Sequence, residues 1–159
     1  MARALWFISK WFFKVSIVIS AVSWGIVAVT LSIWANDNAP PFRFYETSVV
    51  NAAPGDTMFL SARVERDTAR KCRVEVTRTL IDSVGTVHTI GFAKISPQSI
   101  KMREAANPGE LVTNSVVPAT ASYGTGIFNA DLNYFCNPWH EYVKPINVRV
   151  TYQVRVLQP

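Results

Sequence analysis

Hydrophobic positions along the chain follow two different patterns. Residues 15–34 (VSIVISAVSWGIVAVTLSIW) form one apolar block of twenty residues without a charge or a proline. At 1.5 Å rise per residue, a helix of that length spans the ~30 Å hydrocarbon core of a bilayer. After this block, alternation takes over. From Ile146 to Val156 every even position is apolar and every odd one polar, the period of a strand with one buried face. The same period runs through Met58, Leu60, Ala62 and Val64, which follow the turn residues Pro54, Gly55 and Asp56. It recurs in Cys72, Val74 and Val76, facing away from Arg73, Glu75 and Thr77. Phe128, Ala130, Leu132, Tyr134 and Cys136 share another face, with Asn129, Asp131 and Asn133 opposite.

Shorter runs at 44–51, 86–95 and 111–117 bring the total to about seven strands, separated by turn signals at PGD, DSVG, NPGE and SYGTG. Strand number and spacing predict an all-β fold, an antiparallel β-sandwich preceded by one N-terminal transmembrane helix. The expected organisation is a leader at 1–14, a membrane span at 15–34, a Pro-containing stalk at 35–42 and a β domain at 43–159. Residues 96–107 (SPQSIKMREAAN) are the one place for a short helix or a long loop.

The flanks of the apolar block give it a direction. Arg3, Lys10 and Lys14 precede it and Asn36, Asp37 and Asn38 follow, so the positive-inside rule puts the N-terminus in the cytoplasm. Trp6, Trp11, Phe12 and Phe13 on one side and Trp34 on the other match interfacial aromatic belts. A cleaved signal peptide has a shorter apolar core, about 7–15 residues, and a small-x-small site. Ile33, Trp34 and Ala35 make a poor one, so an uncleaved anchor is expected. Within the span, Ser and Thr hydroxyls can bond back to the helix, and Gly25 and Ala28 permit close helix contact.

The net charge of +5 changes meaning with this topology. Three of the sixteen Lys and Arg lie in the leader, leaving thirteen against eleven Asp and Glu. That is an ordinary solvated surface, and no nucleic-acid partner is expected. Both cysteines, Cys72 and Cys136, fall in the exported part, where an even pair reads as a disulfide. No Asn-x-Ser/Thr sequon occurs, which favours a bacterial periplasm. The bacterial inner membrane, with the C-terminal domain in the periplasm, is the expected location.

The stretch from Ala130 to Cys136 (ADLNYFC) resembles the strand F region of immunoglobulin-like domains, where a Tyr two residues before the second cysteine forms the tyrosine corner. The resemblance implies that Tyr134 caps a strand junction and that Cys136 faces the inter-sheet core. Two features depart from it. No Trp follows Cys72 in its own strand or the next, and if the PGD turn opens strand B, Cys72 lies on strand C. Strands C and F are neighbours in one sheet, so a Cys72–Cys136 bond would be cross-strand.

Candidate chemistry concentrates at Cys136, His140 and Glu141. A zinc site needs three or four ligands, and the other candidates are Cys72 and His88. A cysteine nucleophile would have to stay reduced beside a partner thiol. A disulfide closing a ~65-residue loop contributes about 3–4 kcal/mol in the chain-entropy account and is the preferred reading. The connection from Asn137 to Pro145 carries Trp139 and Tyr142, residue types that dominate binding hot spots, on a segment stiffened by Pro138 and Pro145. Trp139, His140, Tyr142 and Phe135 are therefore the expected partner-binding residues; the competing view folds Trp139 back as a lid. Phe135 shares an outer face with Arg73, Glu75, Asp131, Arg149, Thr151, Gln153 and Arg155. Arg63, Arg66, Arg70, Lys71 and Arg73 form a basic cluster interrupted by Glu65 and Asp67, suited to anionic headgroups or to a polar hairpin. Asp82 and Glu110 lack the spacing of a glycosidase pair, and no phosphate loop, G-x-S-x-G or H-E-x-x-H occurs.

The expectation is a single-pass protein with no catalytic residues, no metal and no cofactor. It would serve as an interaction or assembly subunit of a bacterial or bacteriophage envelope, held in the lipid bilayer by residues 15–34 and binding a protein partner. A glycan-binding or small-ligand module using Trp139 and Tyr142 is the other reading.

Overall fold

The computed structural model describes residues 2–67, 69–95 and 109–158, with side chains in the N-terminal helix from residue 13 onward. The expected loop or helix at 96–107 lies outside the described residues. The chain divides into two compact units, Met1–Asn38 and Ala39–Pro159.

The first unit is one helix, α1 (Ala2–Asn36). Its segment Phe13–Asn36 has 24 residues and a mean hydropathy of 2.1, long and apolar enough to cross a membrane. At helical rise this is ~36 Å. Ser23 and Thr30 donate to the carbonyls of Ile19 and Ile26 at 2.8 and 2.9 Å, so neither hydroxyl is left unpaired in an apolar setting.

The second unit is mostly β. Its strands are β1 (Phe42–Thr47), β2 (Val50–Ala52), β3 (Thr57–Arg66), β4 (Arg73–Ile81), β5 (Val87–Ile95), β6 (Glu110–Val116), β7 (Gly124–Phe135) and β8 (Ile146–Val156), with a short helix α2 (Pro138–Tyr142) between the last two. They form a three-stranded sheet in the order β1-β3-β6 and a five-stranded sheet in the order β2-β8-β7-β4-β5.

The alternation read from the sequence sets the buried faces. Met58, Leu60, Ala62 and Val64 of β3, Val74, Val76 and Leu80 of β4, and Val150, Tyr152, Val154 and Val156 of β8 all enter one core. Phe42 of the smaller sheet stacks on Tyr134 of the larger, with ring centroids 6.2 Å apart.

Two expectations are corrected. The run at 44–51 is not one strand. It divides at Ser48, and its halves join different sheets: β1 pairs with β3, and β2 with β8. Ser48 stabilises the crossing, its N–H donating to the Ser61 carbonyl and its Oγ accepting from the Ser61 N–H, at 3.0 and 3.1 Å. The pairing of β2 with β8 is parallel, so the arrangement is not wholly antiparallel.

The β4–β5 turn is organised by Asp82. Its Oδ1 accepts from the N–H groups of Val84 and Thr86, and its Oδ2 accepts from the Ser122 N–H and lies 3.1 Å from His88 Nε2. Gly85, at φ 85°, supplies the left-handed residue the turn requires. Burial alone would push the Asp82 carboxyl up, but the hydrogen bonds from His88, Ser122, Thr86 and Val84 together hold it well below the usual carboxylate range. Asp82 is thus a buried fastener between two loops, and Glu110 belongs to the other sheet.

Candidate functional surface around the disulfide and α2

Arg73 and Phe135 are paired across β4 and β7. The residues just beyond this pair, Cys72 and Cys136, are joined by a disulfide with an S–S distance of 2.09 Å and Cα atoms 4.1 Å apart. The bond links neighbouring strands of one sheet. It consumes both thiols, so neither a thiolate nucleophile nor a Cys2His2 zinc set forms at Cys136. Among the described residues no group of three or more His, Cys, Asp and Glu could hold a metal ion.

Directly after Cys136 the chain makes α2 instead of the irregular connection expected. Asn137 is its N-cap, in extended backbone (φ −152°, ψ 171°), with Oδ1 accepting from the His140 N–H at 3.0 Å. Pro138 occupies the first turn, where its missing N–H costs nothing. The turn closes with the N–H groups of Val143 and Lys144 donating to the Trp139 carbonyl at 2.9 and 3.2 Å. An Asn-Pro start is a sequence signal for a helix N-terminus, and it was legible here.

This turn decides which expected contact residues reach solvent. His140, expected on the contact surface, is instead buried at 2% exposure. The capped turn directs it toward the disulfide, where Nδ1 accepts from the Cys136 N–H at 3.4 Å. Trp139 and Phe135 are partly buried. Tyr142 is 86% exposed, and Val143, which periodicity did not single out, is 62% exposed.

Arg73 ties the turn to the sheet. Its Nη2 donates to both Glu141 oxygens at 2.7 and 2.8 Å, its Nη1 donates to Glu75, and its guanidinium lies 4.2 Å from the Phe135 ring centroid. Lys94 adds a second cation 3.1 Å from Glu75. The hydrogen bond from Lys94, with that from Arg73, holds the Glu75 carboxyl below its ordinary range. The outer face continues as cross-strand pairs: Arg149 with Asp131, Asn147 with Asn133, and Thr151 with Asn129. Those groups are largely satisfied by one another.

The basic cluster has work of its own within the domain. Arg70 donates to the Ala39 carbonyl and the Asp67 N–H to that of Pro41 at 2.9 Å, while the Arg66 guanidinium lies 5.6 Å from the Phe42 ring centroid. These residues fasten the chain where it enters β1.

Tyr134 departs from the tyrosine-corner expectation. Its side chain is fully buried, but its hydroxyl has no hydrogen-bond partner among the described residues. Burial pushes its phenol far up, and that of Tyr152 up to about 12. Sequence reasoning also missed Arg78, which is in phase with Val74 and Val76 and therefore on the inner face of β4.

No family model matches the chain, and no curated protein is similar to it. Among solved structures, the sporulation control protein Spo0M of Bacillus subtilis is similar over 76% of this chain at 12% identity and a TM-score of 0.42; the chain spans 51% of that structure. An immunoglobulin-like protein of Pseudomonas aeruginosa matches 74% of this chain and 94% of its own length, at 11% identity and a TM-score of 0.32. The alkylpurine DNA glycosylase AlkC of Pseudomonas fluorescens matches 74% of this chain and 31% of its own length, at 9% identity and a TM-score of 0.34. The chain thus has an immunoglobulin-like protein among its structural neighbours; its second unit is two β-sheets sharing one core, and its first is an apolar helix.

Proposed function

We infer that this is a single-pass membrane protein whose extracytoplasmic immunoglobulin-like β-sandwich serves as an interaction or assembly subunit of a bacterial or bacteriophage envelope. The N-terminus lies in the cytoplasm and the β domain in the periplasm, with the apolar helix as anchor. One observation carries the contact site: Tyr142, 86% exposed, stands on a turn fixed by the Asn137 cap, the Arg73–Glu141 clamp and the adjacent disulfide. A large aromatic on a fixed backbone turn loses little backbone entropy on binding, and Tyr is among the residue types that dominate hot spots. Tyr142 and Val143 form the centre of the contact, with Trp139 and Phe135 at its edge. The polar pairs across the outer face are already satisfied and contribute complementarity rather than affinity. On this reading the protein acts by binding; the oxidised cysteine beside His140 removes one candidate nucleophile.

The test is a photo-crosslinking amino acid at position 142, compared with one at Gln153 on the outer face of β8, in cells expressing the full chain. A discrete adduct of constant mass at 142, absent at 153, is the expected result. Equal, heterogeneous labelling at both positions would remove the α2 turn as the contact. A C-terminal periplasmic-phosphatase fusion should be active; an inactive fusion would overturn the orientation.

A further inference from the structure

The inner face of β4 carries Arg78 between Val76 and Leu80, opposite Ala130 of β7 on one side and Gly91 of β5 on the other. It lines a cavity of about 240 Å³ whose walls include Phe42, Phe44, Leu111, Leu132 and Tyr152. Gly91 puts no side chain opposite Arg78, and a Cβ there would meet nothing within 4 Å. Among the described residues no carboxylate or other hydrogen-bond acceptor is bonded to Arg78, and the Tyr152 phenol lines the same cavity. A half-buried guanidinium among apolar walls gives up part of its hydration, and an anion in the cavity would make up that loss.

We propose that this inter-sheet cavity binds a short single-chain carboxylate, with its head on Arg78 and its alkyl tail between the two sheets. The size limits the ligand. At the ~30 Å³ that one water occupies in the liquid, the cavity holds about eight groups of that size, as in octanoate with its carboxylate counted as one, and excludes a diacyl lipid. A guanidinium matches a carboxylate bidentately, and the apolar walls match a methylene chain. This inference concerns the space between the sheets and does not depend on the α2 contact.

The test uses the full chain in lipid nanodiscs with a diazirine-bearing octanoate, the labelled peptides being mapped by mass spectrometry. Label is expected on Phe44, Leu111 or Leu132 and is competed by unlabelled carboxylates. Competition should strengthen about fourfold per methylene, from ~0.8 kcal/mol per buried CH2, and level off near octanoate. Octanol should compete roughly ten- to a hundredfold less well, as expected for loss of a charge-assisted hydrogen bond. Arg78→Met should abolish the preference for carboxylate over alcohol, and Arg78→Lys should retain part of it. Should Arg78→Met fail to fold, the chain-length series and the Lys variant decide. Label confined to α1, equal competition by octanol, or unchanged labelling of a folded Arg78→Met protein would each show a solvent-reaching structural arginine and overturn the proposal.

Discussion

Removing the disulfide should weaken the β unit and loosen the α2 turn together. The bond closes a loop with a sequence separation of 64. In the chain-entropy account, releasing a loop of that length returns about 4 kcal/mol of conformational freedom to the unfolded chain. The unit from Ala39 to Pro159 has ~120 residues, and at ~2.1 cal/mol/K per residue its unfolding entropy is about 0.25 kcal/mol/K. Dividing one by the other, the Cys72→Ala/Cys136→Ala double variant should melt about 16 °C lower than the oxidised protein. Cys72 directly precedes Arg73 and Cys136 directly precedes Asn137, so the bond also positions both halves of the clamp that holds α2. The assay is thermal unfolding of the full chain by tryptophan fluorescence, with and without reductant, beside hydrogen exchange of the Val143 and Lys144 amides. Reductant should lower the wild-type melting temperature toward that of the variant and leave the variant unchanged. A fall below about 4 °C, or unchanged exchange at residues 143–144, would refute the reasoning. Either would mean that β4 and β7 hold together equally well without the bond.

Three further outcomes follow from specific contacts. A Cβ on Gly126 would lie 2.6 Å from the Ile81 carbonyl oxygen. Backbone cannot yield as a flexible side chain does, so Gly126→Ala should cost about 1–3 kcal/mol, read as a shift in urea midpoint. The carboxyl of Asp82 is held below its unfolded value, so its contribution is complete above about pH 4 and fades as pH falls further, toward the folded-state value. Asp82→Asn should therefore lower the urea midpoint at pH 6 and flatten its decline below pH 4; parallel profiles for the two proteins would contradict this. Because the Tyr134 hydroxyl is buried without a partner among the described residues, Tyr134→Phe should be neutral or stabilising by about 1 kcal/mol. A functioning tyrosine corner would instead show a clear loss in the same denaturation experiment.

Local periodicity was enough for the apolar helix and for the buried faces of the longer strands. The apolar block from Val15 to Trp34 forms part of one continuous helix, and the even positions of β8 enter the core from Ile146 to Val156. These outcomes depend on which way a side chain points relative to its neighbours in the chain, and that is written into the order of residues. The placement of Cys72 beside Cys136 was also legible, because the resemblance to immunoglobulin-like domains, with the PGD turn opening strand B, implies neighbouring strands for the two cysteines.

Tertiary structure decided everything that depends on non-local pairing. Residues 44–51 read as one strand, but the chain leaves one sheet at Ser48 and joins the other, since the edge of β8 offers the next free ladder. His140 looked like a surface residue because sequence cannot show that one capped turn rotates it toward the disulfide. Asp82 acquires its role from the Ser122 amide, 40 residues away, and Arg78 its setting from Phe44 and Leu111 across the two sheets. A single strand states only which face a residue occupies. What that face meets is determined by the strands and loops folded against it.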